Sequence, residues 1–186
     1  NDYHILYLDT GAMYRACAVA ALRSHIDVSD EAQVCDLMRD ICLSVVYRDG
    51  VQHTLLGKED VTSLLRAPEV SMAASTISRH PSVRLKMVEK QREIAGKMSC
   101  VLDGRDIGTF VLPDADFKFY LTASPEVRAR RRYDVLIARG GKVDFEALKR
   151  EIDARDRQDS TREFAPLKRA EDAVLIDTSD MTVDEV

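Results

Sequence analysis

The 186 residues predict an α/β fold, and three observations carry that expectation. Short apolar runs of strand type alternate with helix-type segments, polar residues gather just after the runs, and the later helical segments are rich in Arg. In open α/β sheets, side chains released at the carboxyl ends of strands are the ones that meet ligands.

Ile5–Leu6–Tyr7–Leu8 is the first strand-type run, and Asp9–Thr10–Gly11 ends it. Ala12 to Leu22 is Ala-rich and helical, with Asp9 or Thr10 as N-cap. A helix that opens straight after a strand presents backbone N–H groups to anions. Tyr14 and Arg15 fall in its first turns, although Arg15 taken alone reads as a solvated helix residue. Ser29–Asp30–Glu31 caps a second helix running to about Ile41. The period then changes. Leu43–Arg48 and Val51–Leu56 are β-type runs around Asp49–Gly50, a strong hairpin signal. Gly57–Lys58–Glu59–Asp60 turns the chain again before Leu64–Leu65–Arg66, so a small antiparallel unit is expected among helices.

Pro68 starts a helix that carries Ser75 and ends before His80–Pro81, and a longer helix from about Ser82 to Gly96 holds Arg84 in its first turn. Cys100–Val101–Leu102 reads as a buried strand, and it stops in Asp103–Gly104–Arg105–Asp106. Two carboxylates and a guanidinium within four residues suit a phosphorylated, hydrogen-bonding ligand, because the Arg fork matches phosphate oxygens. Such a turn is equally a polar loop with an internal ion pair.

Phe117–Leu121 is a further strand, followed by Ser124–Pro125–Glu126, a well-marked helix start. Arg128, Arg131 and Arg132 share one face of that helix by their spacing, and Gly140–Gly141 ends it. A helix from near Asp144 carries Arg155, Asp159 and Arg162, again on one face. Either stripe could be a solvated surface. Ala173–Asp177 is the last strand, and Thr178–Ser179–Asp180 is expected to cap one more helix.

Composition narrows the class. With 45% hydrophobic and 32% charged residues, the chain has the make-up of an ordinary soluble protein. No apolar run approaches the ~18 residues of a membrane span. Cys17, Cys35, Cys42 and Cys100 form no CxxC pair, and the four histidines are scattered, so reduced thiols in the cytoplasm are expected and no zinc site is. The net charge of −5 argues against a nucleic-acid binder. Between Arg128 and Arg169, however, 13 Lys+Arg stand against 8 Asp+Glu, and ten of the 13 are Arg. A local Arg field on an acidic chain suits a small polyanion.

Three blocks then acquire a common meaning. Leu8–Asp9–Thr10–Gly11–Ala12–Met13–Tyr14–Arg15, Asp103–Gly104–Arg105–Asp106–Ile107–Gly108–Thr109, and Arg155–Asp156–Arg157–Gln158–Asp159–Ser160–Thr161–Arg162 with Ala165–Pro166–Leu167 closely resemble the bacterial cytidylate kinase family. The resemblance covers essentially the whole chain. It implies a three-layer P-loop nucleoside-monophosphate-kinase fold, with a parallel sheet, an antiparallel β insert over residues 43–67 and a helical lid over about 124–162. The implied activity is phosphorylation of CMP and dCMP by ATP with Mg²⁺. Arg15, Arg105 and Arg162 would hold the phosphate. Thr10 and Tyr14 would join the substrate contacts, Ser75, Arg84 and Asp106 would read the cytosine edge, and Arg155 and Asp159 would contact the sugar. Arg128, Arg131 and Arg132 would lie over ATP, with Arg128 and Arg131 also acting in transfer. Asp103 would orient Mg²⁺, through water.

The family's GxxxxGK[ST] phosphate loop is not in these residues. The chain opens at what resembles the family's second strand, so the expectation is a single domain over residues 1–186 cut at both ends, lacking a strand, loop and helix of roughly 25 residues. Two alternatives are a P-loop kinase acting on another small acceptor and a non-catalytic cytidine-nucleotide or RNA-binding module using the Arg field. A monomer is expected, because no exposed apolar stripe asks for a partner.

Overall fold

The computed structural model describes residues 5–186, so His4 lies outside the described residues. The chain forms two compact units divided after Ile107. The first holds β1 (Leu6–Asp9), α1 (Thr10–Arg23), α2 (Glu31–Asp40), β2 (Leu43–Arg48), β3 (Val51–Leu56), β4 (Glu59–Asp60), α3 (Pro68–Ile77), α4 (Pro81–Ala95) and β5 (Cys100–Asp103). The second holds β6 (Phe119–Thr122), α5 (Pro125–Ala138), α6 (Phe145–Thr161) and β7 (Val174–Asp177).

In the first unit β1 and β5 pair in parallel, which brings Asp9 opposite Asp103 at the two carboxyl ends. The insert is the antiparallel sheet β2–β3–β4. Its hairpin turns at Asp49 (φ 52°) and Gly50 (φ 75°), both in the left-handed region that a two-residue hairpin loop demands. That turn sets the register from Leu43↔Leu56 to Arg48↔Val51.

The core is organised on α1. Its buried residues include Ala12, Met13, Ala16, Cys17, Ala18, Val19 and Ala21, so most of its circumference is covered. Small side chains let α3 approach closely, and α3 contributes Val70, Ala73, Ala74 and Ile77. α4 adds Val83 and Met87, with the Cys17 thiol 3.8 Å from the Met87 sulfur. Burial pushes the Cys17 thiol up to about 12.

In the second unit β6 and β7 form a parallel ladder from Phe119↔Val174 to Thr122↔Asp177. α5 starts where Ser124 accepts from the Val127 N–H, and α6 where Asp144 accepts from the Ala147 N–H. Tyr133 and Phe145 join the two helices edge to face at 5.7 Å, and Arg130 lies 4.3 Å from the Phe145 centroid.

Four sequence expectations need correction. β5 is not a buried strand: it is paired only with β1 among the described residues, and Val101 and Asp103 face outward. The strand expected from Phe117 begins at Phe119, where pairing with β7 begins, and Phe117 is 81% exposed. No helix follows Thr178 within the described residues. Glu185 accepts instead from the N–H and hydroxyl of Thr182, in a local turn. Finally, β6 and β7 expose Phe119, Leu121, Val174 and Leu175, so the argument for a monomer from a missing apolar stripe does not hold. No helix among the described residues is long and apolar enough to cross a membrane.

Candidate functional site

The first unit gathers its polar groups at the carboxyl ends of β1 and β5. Asp9 ends β1 and caps α1, its Oδ1 accepting from the Ala12 N–H at 2.9 Å. Its Oδ2 accepts from Arg15 at 2.7 Å and from Arg66 at 3.2 Å. Two guanidinium groups thus converge on one carboxylate beside a helix N-terminus, where backbone N–H groups favour an anion.

Thr10 ties the strand ends together. Its hydroxyl donates to the Asp103 carbonyl at 2.6 Å. The following turn passes so close that a Cβ on Gly104 would stand 2.7 Å from both the Thr10 hydroxyl and Ile107. Only glycine fits there without displacement. The Asp103 carboxylate accepts from the Tyr7 hydroxyl at 3.1 Å. Burial, and then the neighbouring Asp103 charge, push Tyr7 up to about 12.

Beyond the turn, Asp106 and Arg84 form a buried ion pair at 2.5 Å, 4% and 2% exposed respectively. Arg84 also donates to the Ser78 carbonyl at 3.1 Å, and its Cζ lies 5.4 Å from the centroid of the Tyr14 ring. The buried Arg84 Nε has no hydrogen-bond partner among the described residues. A desolvated charge pair with a donor left over is costly as pure scaffolding, and it suits a polar ligand that uses what remains. Ser75 is half-buried on α3, while Arg105 is exposed. Asp103 and Arg105 are therefore exposed within the same turn that buries Asp106.

The second unit treats its Arg residues differently. Arg128 donates to Asp156 of α6 at 2.5 Å and to the Ala123 carbonyl at 3.0 Å. Arg131 holds the chain after β7, donating to the Thr178 hydroxyl at 3.1 Å and to the Met181 carbonyl at 3.0 Å. Arg132 is exposed. Sharing one helical face, Arg128 and Arg131 thus serve separate partners. Along α6, Arg155 is exposed and Asp159 buried, and Arg162 is the C-cap, already in extended backbone. Arg162 turns back, donating to the Ala165 carbonyl at 2.7 Å and meeting Asp159 at 3.4 Å. The Leu167 N–H closes the same loop on the Asp159 carbonyl at 2.7 Å, across Ala165 at φ 48°.

Sequence reading did not single out three groups that the fold brings to the first site. Tyr7 looks like an apolar strand residue, Arg66 follows two leucines, and Gln52 lies within the hairpin. Gln52 bonds both main-chain groups of Asp9, at 2.7 and 3.2 Å. The one available signal was a polar amide in a β-type run.

The carboxylates of the first unit bear on whether a divalent cation could be held there. Among the described residues no three His, Cys, Asp or Glu side chains cluster as a metal cage. In the first unit, Asp103 stands exposed at the end of β5. That fits Mg²⁺, which keeps its waters and is commonly held by one or two carboxylates with substrate phosphates.

Comparison with known proteins gives the family. The family model described as Cytidylate kinase matches residues 1–186. A protein named cytidylate kinase from Geobacillus sp. (strain WCH70) is 47% identical over 181 residues, covering 97% of this chain and 81% of that protein. One from Geobacillus thermodenitrificans (strain NG80-2) is 47% identical over 186 residues, 100% of this chain and 83% of the relative. The Bacillus subtilis (strain 168) protein of that name is 42% identical over 181 residues, with 97% and 81% covered.

Proposed function

The chain belongs to the cytidylate kinase family, and from that premise we infer how its residues divide the work of phosphoryl transfer. The activity is ATP-dependent phosphorylation of CMP and dCMP to CDP and dCDP. In-line transfer needs alignment and charge neutralisation more than covalent chemistry, and the residues supply both.

The observation that carries the assignment is the buried Arg84–Asp106 pair beside Tyr14. We assign that pair, with Ser75, to the cytosine edge: carboxylate and hydroxyl accept from the exocyclic amino group, and guanidinium donates to ring acceptors. A carboxylate keeps further acceptor sites after one bond to arginine. Uracil offers a carbonyl where cytosine offers the amino group, so the buried acceptors would stay unpaired. Such mismatches reach discrimination of about 10⁴-fold in polar pockets.

Arg15 and Arg105 are assigned to the acceptor phosphate, with Thr10 and Tyr14 completing the substrate contacts of the first unit. A guanidinium carries five N–H donors, so Arg15 meets the phosphate while Asp9 still holds it. In the second unit, Arg162 is assigned to phosphate, and Arg155 and Asp159 to the sugar. Arg128, Arg131 and Arg132 are assigned to ATP, which requires Arg128 and Arg131 to trade Asp156 and the Thr178–Met181 segment for phosphate oxygens. Asp103 would orient Mg²⁺ through water, and the ion would supply charge neutralisation at the transferred phosphoryl group. We assign the reaction to the cytoplasm, with small nucleotides rather than nucleic acid as partners.

Asp106→Asn with acceptor competition tests the reading. Its amide places a donor against the cytosine amino group, so CMP must lose most of its advantage over UMP. Retained preference would sink the base assignment.

A further inference from the structure

We propose that Gln52 is a positioning residue for the acceptor phosphate, clamping the strand end from which Arg15 is held. The proposal rests on the reading of Arg15 as a phosphate contact. Among the described residues β1 is paired on one edge only, by β5. On the other edge, the Asp9 N–H donates to Gln52 Oε1 at 2.7 Å and the Asp9 carbonyl accepts from Gln52 Nε2 at 3.2 Å. Both halves of one amide are used, which fixes its orientation. Tyr47 stands directly across the hairpin from Gln52, and its hydroxyl donates to the Tyr7 carbonyl at 3.0 Å. Residues two apart on a strand present their main-chain groups to the same edge. Two cross-strand side chains of the insert therefore do for β1 what a neighbouring strand would do.

The clamp closes on the residue that matters. Asp9 is the N-cap of α1 and the carboxylate shared by Arg15 and Arg66. The turn is tight: a Cβ on Gly11 would lie 3.1 Å from both Arg15 Nη1 and Asp9 Oδ1. With so little slack, the Asp9 backbone sets where the Arg15 guanidinium stands. Gln52 touches no substrate group in this scheme and acts entirely through Asp9.

Calorimetric titration of the protein with CMP and with cytidine separates this role from general support of the fold. Gln52→Met keeps the length and removes both bonds. The CMP Kd should rise about tenfold, the scale of two neutral hydrogen bonds, with cytidine weakened by less than about twofold. Gln52→Glu keeps the acceptor for the Asp9 N–H but sets a carboxylate oxygen against the Asp9 carbonyl, so it should weaken CMP at least as much as Gln52→Met. Tyr47→Phe, which removes one bond from a less critical carbonyl, should weaken CMP about threefold and serves if the Gln52 variants fold poorly. Equal weakening of CMP and cytidine, or an unchanged CMP Kd, would overturn the proposal. Arg15→Ala is the control for the underlying reading: an unchanged CMP Kd there removes the phosphate assignment itself.

Discussion

Replacing Asp106 by Ala leaves Arg84 buried without its counter-ion, and the structure gives the size of the effect. Breaking a buried ion pair by deleting one partner costs about 3–5 kcal/mol. Arg84 would keep the Ser78 carbonyl and the Tyr14 ring. A desolvated cation–ring contact is worth about 2 kcal/mol, so the loss belongs at the low end, about 3 kcal/mol. For a chain of this size each kcal/mol moves Tm by about 2–4 °C, so calorimetry should find a fall of about 6–12 °C. The double variant Arg84→Met, Asp106→Leu replaces the pair by apolar groups and should regain stability to within about 1 kcal/mol of the parent. It should not regain CMP binding, because the groups that read the base are gone. A fall in Tm below about 2 °C for Asp106→Ala would refute the buried-pair reasoning.

Asp60 is held down to about 2 by hydrogen bonds from Thr62 and then by His53. A depressed carboxylate contributes stability above its ordinary value of 3.8, lost as pH falls toward 2; Asp60→Asn should therefore flatten the acid limb of Tm against pH, followed by circular dichroism. Cys42 is exposed, while Cys17 is buried with its thiol near 12. A chromogenic disulfide reagent should thus label Cys42 in the native protein and Cys17 only on unfolding, and native labelling of Cys17 would contradict the packing of α1. Gly104→Ala must displace Thr10 or Ile107, so it should lower stability by about 1–3 kcal/mol in a denaturant titration and weaken CMP with it.

Much of the fold was legible because local chemistry writes it. Asp30, Ser124 and Asp144 cap the helices where the sequence puts caps, and Asp49–Gly50 makes the hairpin its φ values require. Of the residues read from the sequence as site candidates, Arg15, Arg84, Asp103 and Asp106 stand in the first unit, with Arg84 and Asp106 in contact. What was not legible depends on separation along the chain. Tyr7 and Asp103 meet across 96 residues, and Asp9 and Gln52 across 43. No periodicity records such pairs. Spacing also overstated the Arg stripes, because a shared helical face says nothing of the carbonyl or carboxylate each guanidinium will find. Arg128 finds Asp156, and Arg131 finds the chain after β7.

The central claim is a cytosine-selective phosphoryl transfer, and the most direct measurement is the initial rate of ADP formation with CMP, dCMP, UMP and AMP as separate acceptors. The account predicts CDP and dCDP as products, with kcat/KM for UMP and AMP lower by at least about a hundredfold. ADP formation no faster with CMP than with UMP, or unaffected by any acceptor, would contradict it.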